Sequence, residues 1–86
     1  MNINELIAIV KKKIEDRIFV ENISIEDKSF LHKNHKTHQA GKFHLKISLK
    51  SDELKKMSKI NSNKKIYKIL EEEMKLHIHS IQILIN

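Results

Sequence analysis

Histidine is the residue type with the clearest chemical potential in this sequence, and its six copies fall into two groups. One group lies in the middle of the chain and the other opens the last apolar segment: His32, His35, His38 and His44, then His77 and His79. Imidazole is the commonest metal ligand and the side chain that titrates nearest neutral pH. Two histidine groups separated in sequence therefore predict a shared metal site.

The length and composition exclude several classes of protein. A chain of 86 residues predicts one domain over residues 1–86, with one thin core and little room for a deep enzyme pocket. Because there is no cysteine, a disulfide scaffold, an iron-sulfur site built from the chain's own thiolates and a cysteine nucleophile are excluded. We expect no enzymatic activity, since no nucleophile, base and acid set is recognisable and Glu71, Glu72 and Glu73 have the pattern of a solvated helix face.

The start of the chain and its net charge bear on location and partners. No 18-residue apolar run exists, and charges interrupt the apolar pattern near the first residue, so we expect a cytoplasmic protein with no membrane association. The net charge of +6 would ordinarily indicate nucleic acid or an acidic partner. However, Arg17 is the one arginine among 17 basic residues and proline is absent, which is the composition expected of an AT-rich genome. We attribute most of the charge to that bias.

The spacing of apolar residues predicts the elements of the first half. Residues 3–18 repeat with a helical period and predict an amphipathic helix, with Asn4 preferred to Asn2 as its N-cap. A change to a period of two predicts a strand that begins at Phe19 and ends at residue 27. Residues 28–41 lack periodicity and predict a long functional loop. A second strand follows over 43–50, with His44 on its solvent-facing side in a structural or peripheral role.

The second half predicts two helices and a strand. Residues 51–60 predict a short helix. A break is then predicted at Asn61, Ser62 and Asn63, and a longer helix over residues 63–75. Residues 77–85 predict a third strand in which His79 begins the row that continues as Ile81, Ile83 and Ile85. The order helix, strand, strand, helix, helix, strand predicts an α+β domain with a three-stranded mixed sheet and helices on one face, as in class II KH domains.

Several separated motifs, taken in order, resemble those of the BolA family. The segment DKSFLH at 27–32 is similar to the family's Asp-x-Ser-x-x-His pattern, and GKFHLKISLKS at 41–51 resembles its Gly-x-x-x-His-Phe-x-Val strand ending in serine. The segment KIYKILEEEM at 65–74, followed by HIHSIQI at 77–83, resembles the family's last helix and final strand. The resemblance covers nearly the whole chain and implies a BolA-like domain.

The resemblance also implies a function, that of a non-enzymatic partner of a monothiol glutaredoxin. In that family the heterodimer holds a bridging 2Fe-2S cluster for iron-sulfur trafficking or iron and redox sensing, with thiolates from glutaredoxin and glutathione. The BolA-like chain contributes one histidine from the last strand and a second ligand from the long loop. Those positions correspond to His79 and His32, with His35 as the alternative loop ligand, His38 ranked below it, and no role for His77. The isolated chain is expected to be a monomer without cofactor.

Two further functions compete with this one. A KH-like, nucleic-acid-binding transcriptional regulator would use a basic surface that includes Lys64, Lys65 and Lys68, but a KH clamp requires a Gly-x-x-Gly loop and Gly41 is the single glycine. The third is autonomous zinc binding by His32, His35, His38 and His79, although structural zinc usually recruits cysteine.

Overall fold

The computed structural model describes residues 1–29 and 42–86, in which helices cover one face of a three-stranded sheet. In chain order the elements are α1 (Ile3–Arg17), β1 (Asn22–Asp27), β2 (Phe43–Lys50), α2 (Asp52–Lys55), α3 (Lys59–Ile69), α4 (Glu71–Leu76) and β3 (Ile78–Ile85). β2 is central, with β1 antiparallel and β3 parallel to it. The helical crossover from β2 to β3 makes the parallel pairing feasible. The predicted α+β class and mixed sheet are confirmed.

The N-terminal cap of α1 differs from the prediction. Asn2 caps the helix: its Oδ1 accepts a hydrogen bond of 2.8 Å from the backbone N–H of Glu5, and its Nδ2 donates to Oε1 of Glu5 at 2.9 Å. The choice of Asn4 was wrong because Asn2 stands three residues before Glu5, the spacing of a capping box, and so gains a reciprocal partner. The helix buries Leu6, Val10 and Ile14 along one stripe.

β1 begins at Asn22, later than the predicted start at Phe19. Its partner β2 ends at Lys50, directly opposite Asn22, and the residues before Asn22 therefore lie beyond the end of the ladder. The N–H of Glu21 still donates to the carbonyl of Lys50 at 2.8 Å. Phe19 itself is 75% exposed. A period of two thus overestimated the strand, since pairing ends where the neighbouring strand ends.

The helices after β2 also begin and end at different residues from those predicted. Ser58 caps α3, its Oγ accepting a hydrogen bond of 3.1 Å from the N–H of Asn61, so the helix starts at Lys59. The predicted break is wrong because Asn61 and Ser62 lie inside the helix. The hydroxyl of Ser62 donates to the carbonyl of Lys59 at 2.9 Å and is buried without interrupting the helix. Non-helical dihedrals at Leu70 (φ −98°, ψ 18°) separate α3 from α4.

The core lies between the helices and the inward face of the sheet. Every second residue of β2 enters it, from Leu45 to Leu49. Its buried aliphatic side chains are Leu6, Val10, Ile14, Ile18, Leu45, Ile47, Leu49, Leu54, Ile66, Leu70 and Ile78. No helix in the described ranges is long and apolar enough to cross a membrane.

Glu73 was predicted to be solvated with its neighbours Glu71 and Glu72, and this is wrong for Glu73 alone. Glu71 and Glu72 are exposed, whereas Glu73 is 5% exposed. Its Oε2 lies 2.5 Å from Nζ of Lys13 on α1, which compensates a carboxylate that would otherwise be costly to bury. That hydrogen bond is the main reason why the pKa of Lys13 is raised above its ordinary 10.5.

Candidate functional site

The two strands β2 and β3 bring one histidine from each of the two sequence groups into contact. The ring centroids of His44 and His79 are 4.8 Å apart, and the ring planes are inclined at 71°, an edge-to-face arrangement. His79 is exposed and His44 is buried. The predicted loop ligand His32 and its alternatives His35 and His38 lie outside the described residues. Of the six histidines, His44, His77 and His79 thus lie among the described residues.

A register shift between β2 and β3 determines where His79 points. Phe43 pairs with Ile78 and His44 pairs with Ser80, so that His79 is an additional residue without a partner in the ladder. Such a bulge re-aims a side chain. Ile78, which is 1% exposed, therefore enters the core, while His79 is exposed. The prediction that His79 begins the row of Ile81, Ile83 and Ile85 was wrong, because strict alternation contains no extra residue.

His44 is not on a wet surface, contrary to the prediction, for it is only 5% exposed. Its Nδ1 shares a hydrogen bond of 2.6 Å with Oγ of Ser80, in which the donor depends on the imidazole tautomer. Its backbone N–H donates to Oγ of Ser29 at 3.1 Å, and its carbonyl accepts from the N–H of Lys28 at 2.7 Å. Neighbours from β3 and from the end of β1 thus cover a position that alternation alone leaves in solvent. The sequence feature that singled out His44 was its position in the segment GKFHLKISLKS, which resembles the family's strand motif.

Both flanks of the histidine-bearing segment are held beside this pair. On the N-terminal side, the N–H of Ser29 donates to Oδ1 of Asp27 at 2.9 Å, and Ser29 also receives the bond from His44. On the C-terminal side, the N–H of Phe43 donates to the carbonyl of His77 at 2.9 Å. His32 follows Ser29 by three residues in the sequence. The described residues on both sides of positions 30–41 therefore lie next to the contact between His44 and His79.

The described residues do not form a complete metal site by themselves. His79 offers an exposed imidazole, and the described residues contain no group of three or more His, Cys, Asp or Glu side chains that is able to hold a metal ion. A shallow groove of about 220 Å³ borders His44 and Ser80 on the helix-free face of the sheet. A second groove of about 330 Å³, towards the other end of β3, has no histidine or carboxylate in its lining. Of these two grooves, only the one beside the histidine pair therefore has a possible histidine ligand in its lining.

One of the three lysines of the nucleic-acid alternative, Lys65, forms an ion pair within the chain. Nζ of Lys65 lies 2.5 Å from Oε2 of Glu53, and this hydrogen bond is the main cause that lowers the pKa of Glu53 from its ordinary 4.5. Lys64 and Lys68 are exposed on α3. The positive charge of this helix is thus partly neutralised within the chain.

Comparisons with known proteins agree with the fold. The BolA domain of SufE1 from Arabidopsis thaliana superposes with a TM-score of 0.80 at 21% identity, covering 100% of this chain and 93% of that one. BolA1 from Arabidopsis thaliana superposes with a TM-score of 0.75 at 20% identity, covering 92% of this chain and 87% of that one. The BolA1 protein from Mus musculus superposes with a TM-score of 0.72 at 19% identity, covering 90% of this chain and 60% of that one. No curated protein sequence matches this chain. The family model for BolA-like protein matches residues 14–86, most of the sequence, and the chain therefore belongs to the BolA-like protein family.

Proposed function

We propose that this chain is a non-enzymatic, cytoplasmic partner of a monothiol glutaredoxin and that it contributes histidine ligands to a bridging 2Fe-2S cluster, for cluster trafficking or for iron and redox sensing. The observation that carries the proposal is the exposed imidazole of His79, packed on His44 beside the described residues on both sides of positions 30–41. In this proposal His79 and His32 hold the cluster, with His35 as the alternative loop ligand.

The residues present fit one half of such a site. A chain without cysteine provides no thiolate, so the sulfur ligands come from the glutaredoxin and from glutathione. The exposure of His79 leaves its ring accessible to a second protein. When bound, a cluster with neutral imidazoles in place of thiolates carries less negative charge, which raises its reduction potential. Because imidazole binds metal only in its neutral form, acid weakens the contribution of this chain.

The first test is reconstitution with a monothiol glutaredoxin, glutathione, iron and sulfide. We expect a coloured one-to-one complex whose visible absorption and circular dichroism change on His79→Ala. Because His79 is exposed, the substitution should alter the free energy of unfolding by no more than about 0.5 kcal/mol. His77→Ala is the matched control, since His77 lies two residues away and contacts β2 through its backbone carbonyl. If His79→Ala leaves both the spectrum and the stability of the cluster unchanged, the proposal fails.

A parallel series identifies the ligand from the loop. His32→Ala, His35→Ala and His38→Ala are compared in the same reconstitution, and we expect His32→Ala to produce the largest spectral change. Equal tolerance of all three substitutions would show that the second ligand comes from elsewhere. The KH-like alternative is not proposed, because no observation among the described residues favours it.

A further inference from the structure

We infer that His44 and Ser80 form a positioning pair that holds the imidazole of His79 in the orientation needed for ligation. This inference rests on the proposed function, and it assigns to His44 a role that is distinct from ligation itself. Three observations carry it: the hydrogen bond of 2.6 Å between Nδ1 of His44 and Oγ of Ser80, the edge-to-face contact of the two rings, and the register shift that pairs His44 with Ser80 and leaves His79 without a ladder partner.

His44 is held rigidly by its backbone and by its ring. Its backbone is bonded on both sides, by donation to Oγ of Ser29 and by acceptance from the N–H of Lys28. Its ring is bonded through Nδ1 to Ser80, and the residue is 5% exposed. A side chain with these constraints has one ring orientation, because rotation would break the hydrogen bond of a buried imidazole. His44 therefore presents a fixed surface to its neighbour.

The bulge at His79 allows two consecutive residues of β3 to contact His44. In a regular strand, consecutive side chains point to opposite faces, which would send His79 and Ser80 to different sides of the sheet. The unpartnered position of His79 removes that restriction. Ser80 can then bond to Nδ1 of His44 while the ring of His79 packs against the same histidine. Ser80 thus holds the side chain of His44, and His44 in turn orients the ring of His79.

The contact with His44 favours ligation by His79. An exposed histidine without packing samples several rotamers, and ordering it on ligation costs conformational entropy. Contact with a rigid ring removes part of that cost in advance. Residues that orient a metal ligand in this way typically change metal affinity by about 10-fold to 100-fold when they are replaced.

The experiment uses Ser80→Ala as its principal variant, because Ser80 is exposed and its replacement leaves the core intact. Gln82→Ala is the matched control, being the next exposed residue of β3 on the same side. Ser80→Thr restores a hydroxyl. In the chain alone, NMR measures ring-to-ring NOEs between His44 and His79 and the χ1 couplings of His79. In the glutaredoxin complex, the lifetime of the cluster is measured by its visible absorption.

We expect Ser80→Ala to weaken the NOEs, to average the χ1 couplings of His79 and to shorten the cluster lifetime by about tenfold, with the ligand-dependent spectrum unchanged in form. Ser80→Thr should recover most of the lifetime, and Gln82→Ala should match the unsubstituted chain. An unchanged His79 ring in Ser80→Ala overturns the positioning pair. So does a change of spectral form in His44→Phe with no effect of Ser80→Ala, since His44 would then be a ligand. A chain that never forms the coloured complex overturns the proposed function instead, whereas the NMR result needs no cluster.

Discussion

Ser51 shows how a single side chain can join two segments that are distant in sequence. It is fully buried between the end of β2 and the start of α2. Its Oγ accepts a hydrogen bond of 3.3 Å from the N–H of Leu54 and donates one of 2.8 Å to the carbonyl of Phe19. The same hydroxyl therefore caps α2 and holds the chain that enters β1. Ser58 caps α3 by a comparable bond to Asn61, but at an exposed place.

We expect Ser51→Ala to lower the free energy of unfolding by about 2 kcal/mol, because it leaves the carbonyl of Phe19 and the N–H of Leu54 without their partner. Ser58→Ala should cost about 1 kcal/mol, since water can replace an exposed cap. Urea unfolding followed by circular dichroism measures both. Equal losses for the two variants would contradict the idea that burial of the shared hydroxyl determines the difference.

An ion pair between Lys13 and Glu73, which are 60 residues apart in the sequence, connects α1 and α4. Nζ of Lys13 bonds to Oε2 of the buried Glu73, and it also lies 3.6 Å from Oε2 of the exposed Glu72. Oε1 of Glu73 has no hydrogen-bond partner among the described residues. The carboxylate of Glu73 thus depends on Lys13 for compensation, because burying an unpaired charge is strongly unfavourable.

Lys13→Met should destabilise the chain by about 2 kcal/mol, since it leaves a buried charge without its partner. The second substitution Glu73→Met should restore most of that loss, because a well-packed apolar pair often replaces a buried ion pair without cost. Lys12→Met is the control, for the Lys12 side chain is 79% exposed and should contribute less than about 0.5 kcal/mol. If Lys13→Met and Lys12→Met behave alike in urea unfolding, the pair does not stabilise the contact between the helices.

The ion pair also has a pH dependence with a defined sign. Because the pKa of Lys13 in the folded chain is raised above 10.5, mainly by the hydrogen bond to Glu73, its contribution is present below that value and is lost as the pH rises through the raised pKa. The difference in stability between the unsubstituted chain and Lys13→Met should therefore shrink in alkaline solution above 10.5. A difference that grows with pH would contradict this assignment.

The molecule as a whole depends on one aliphatic core between a sheet and its helices. A chain of 86 residues has a total stability of about 4 to 13 kcal/mol, so a single core side chain is a large fraction of it. Ile47 is completely buried in the central strand, whereas Ile60 on α3 is 69% exposed. The same residue type thus occurs at both extremes of burial, which makes a matched pair.

Ile47→Ala should cost about 3 kcal/mol, because it removes buried methyl groups and leaves a cavity. For a domain of this size that loss lowers the melting temperature by about 12 to 24 °C. Ile60→Ala should change the stability by less than about 0.5 kcal/mol. Thermal unfolding followed by circular dichroism measures both, and comparable shifts would mean that Ile60 is covered by a neighbour in solution.

The sequence by itself was sufficient for the order of the strands and the mixed sheet, but it predicted two helices between β2 and β3 where the structure has three. Periodicity reports which face of an element is apolar, and the stripe through Leu6, Val10 and Ile14 and the alternation from Leu45 to Leu49 are local properties of the chain. The family resemblance also singled out His79, whose ligand role remains a prediction. Element ends were less predictable, because Asn2 was preferred to Asn4 through the side chain of Glu5, and β1 was shortened by the end of β2.

The tertiary structure alone decided the surroundings of the histidines and of Glu73. His44 and His79 meet because β2 and β3 pair in parallel with an extra residue at His79, and a register between strands is a long-range property that alternation does not encode. Glu73 is buried because Lys13 reaches it from another helix. In both cases the partner comes from a distant part of the sequence, so only packing determines which polar side chains leave solvent and which stay exposed.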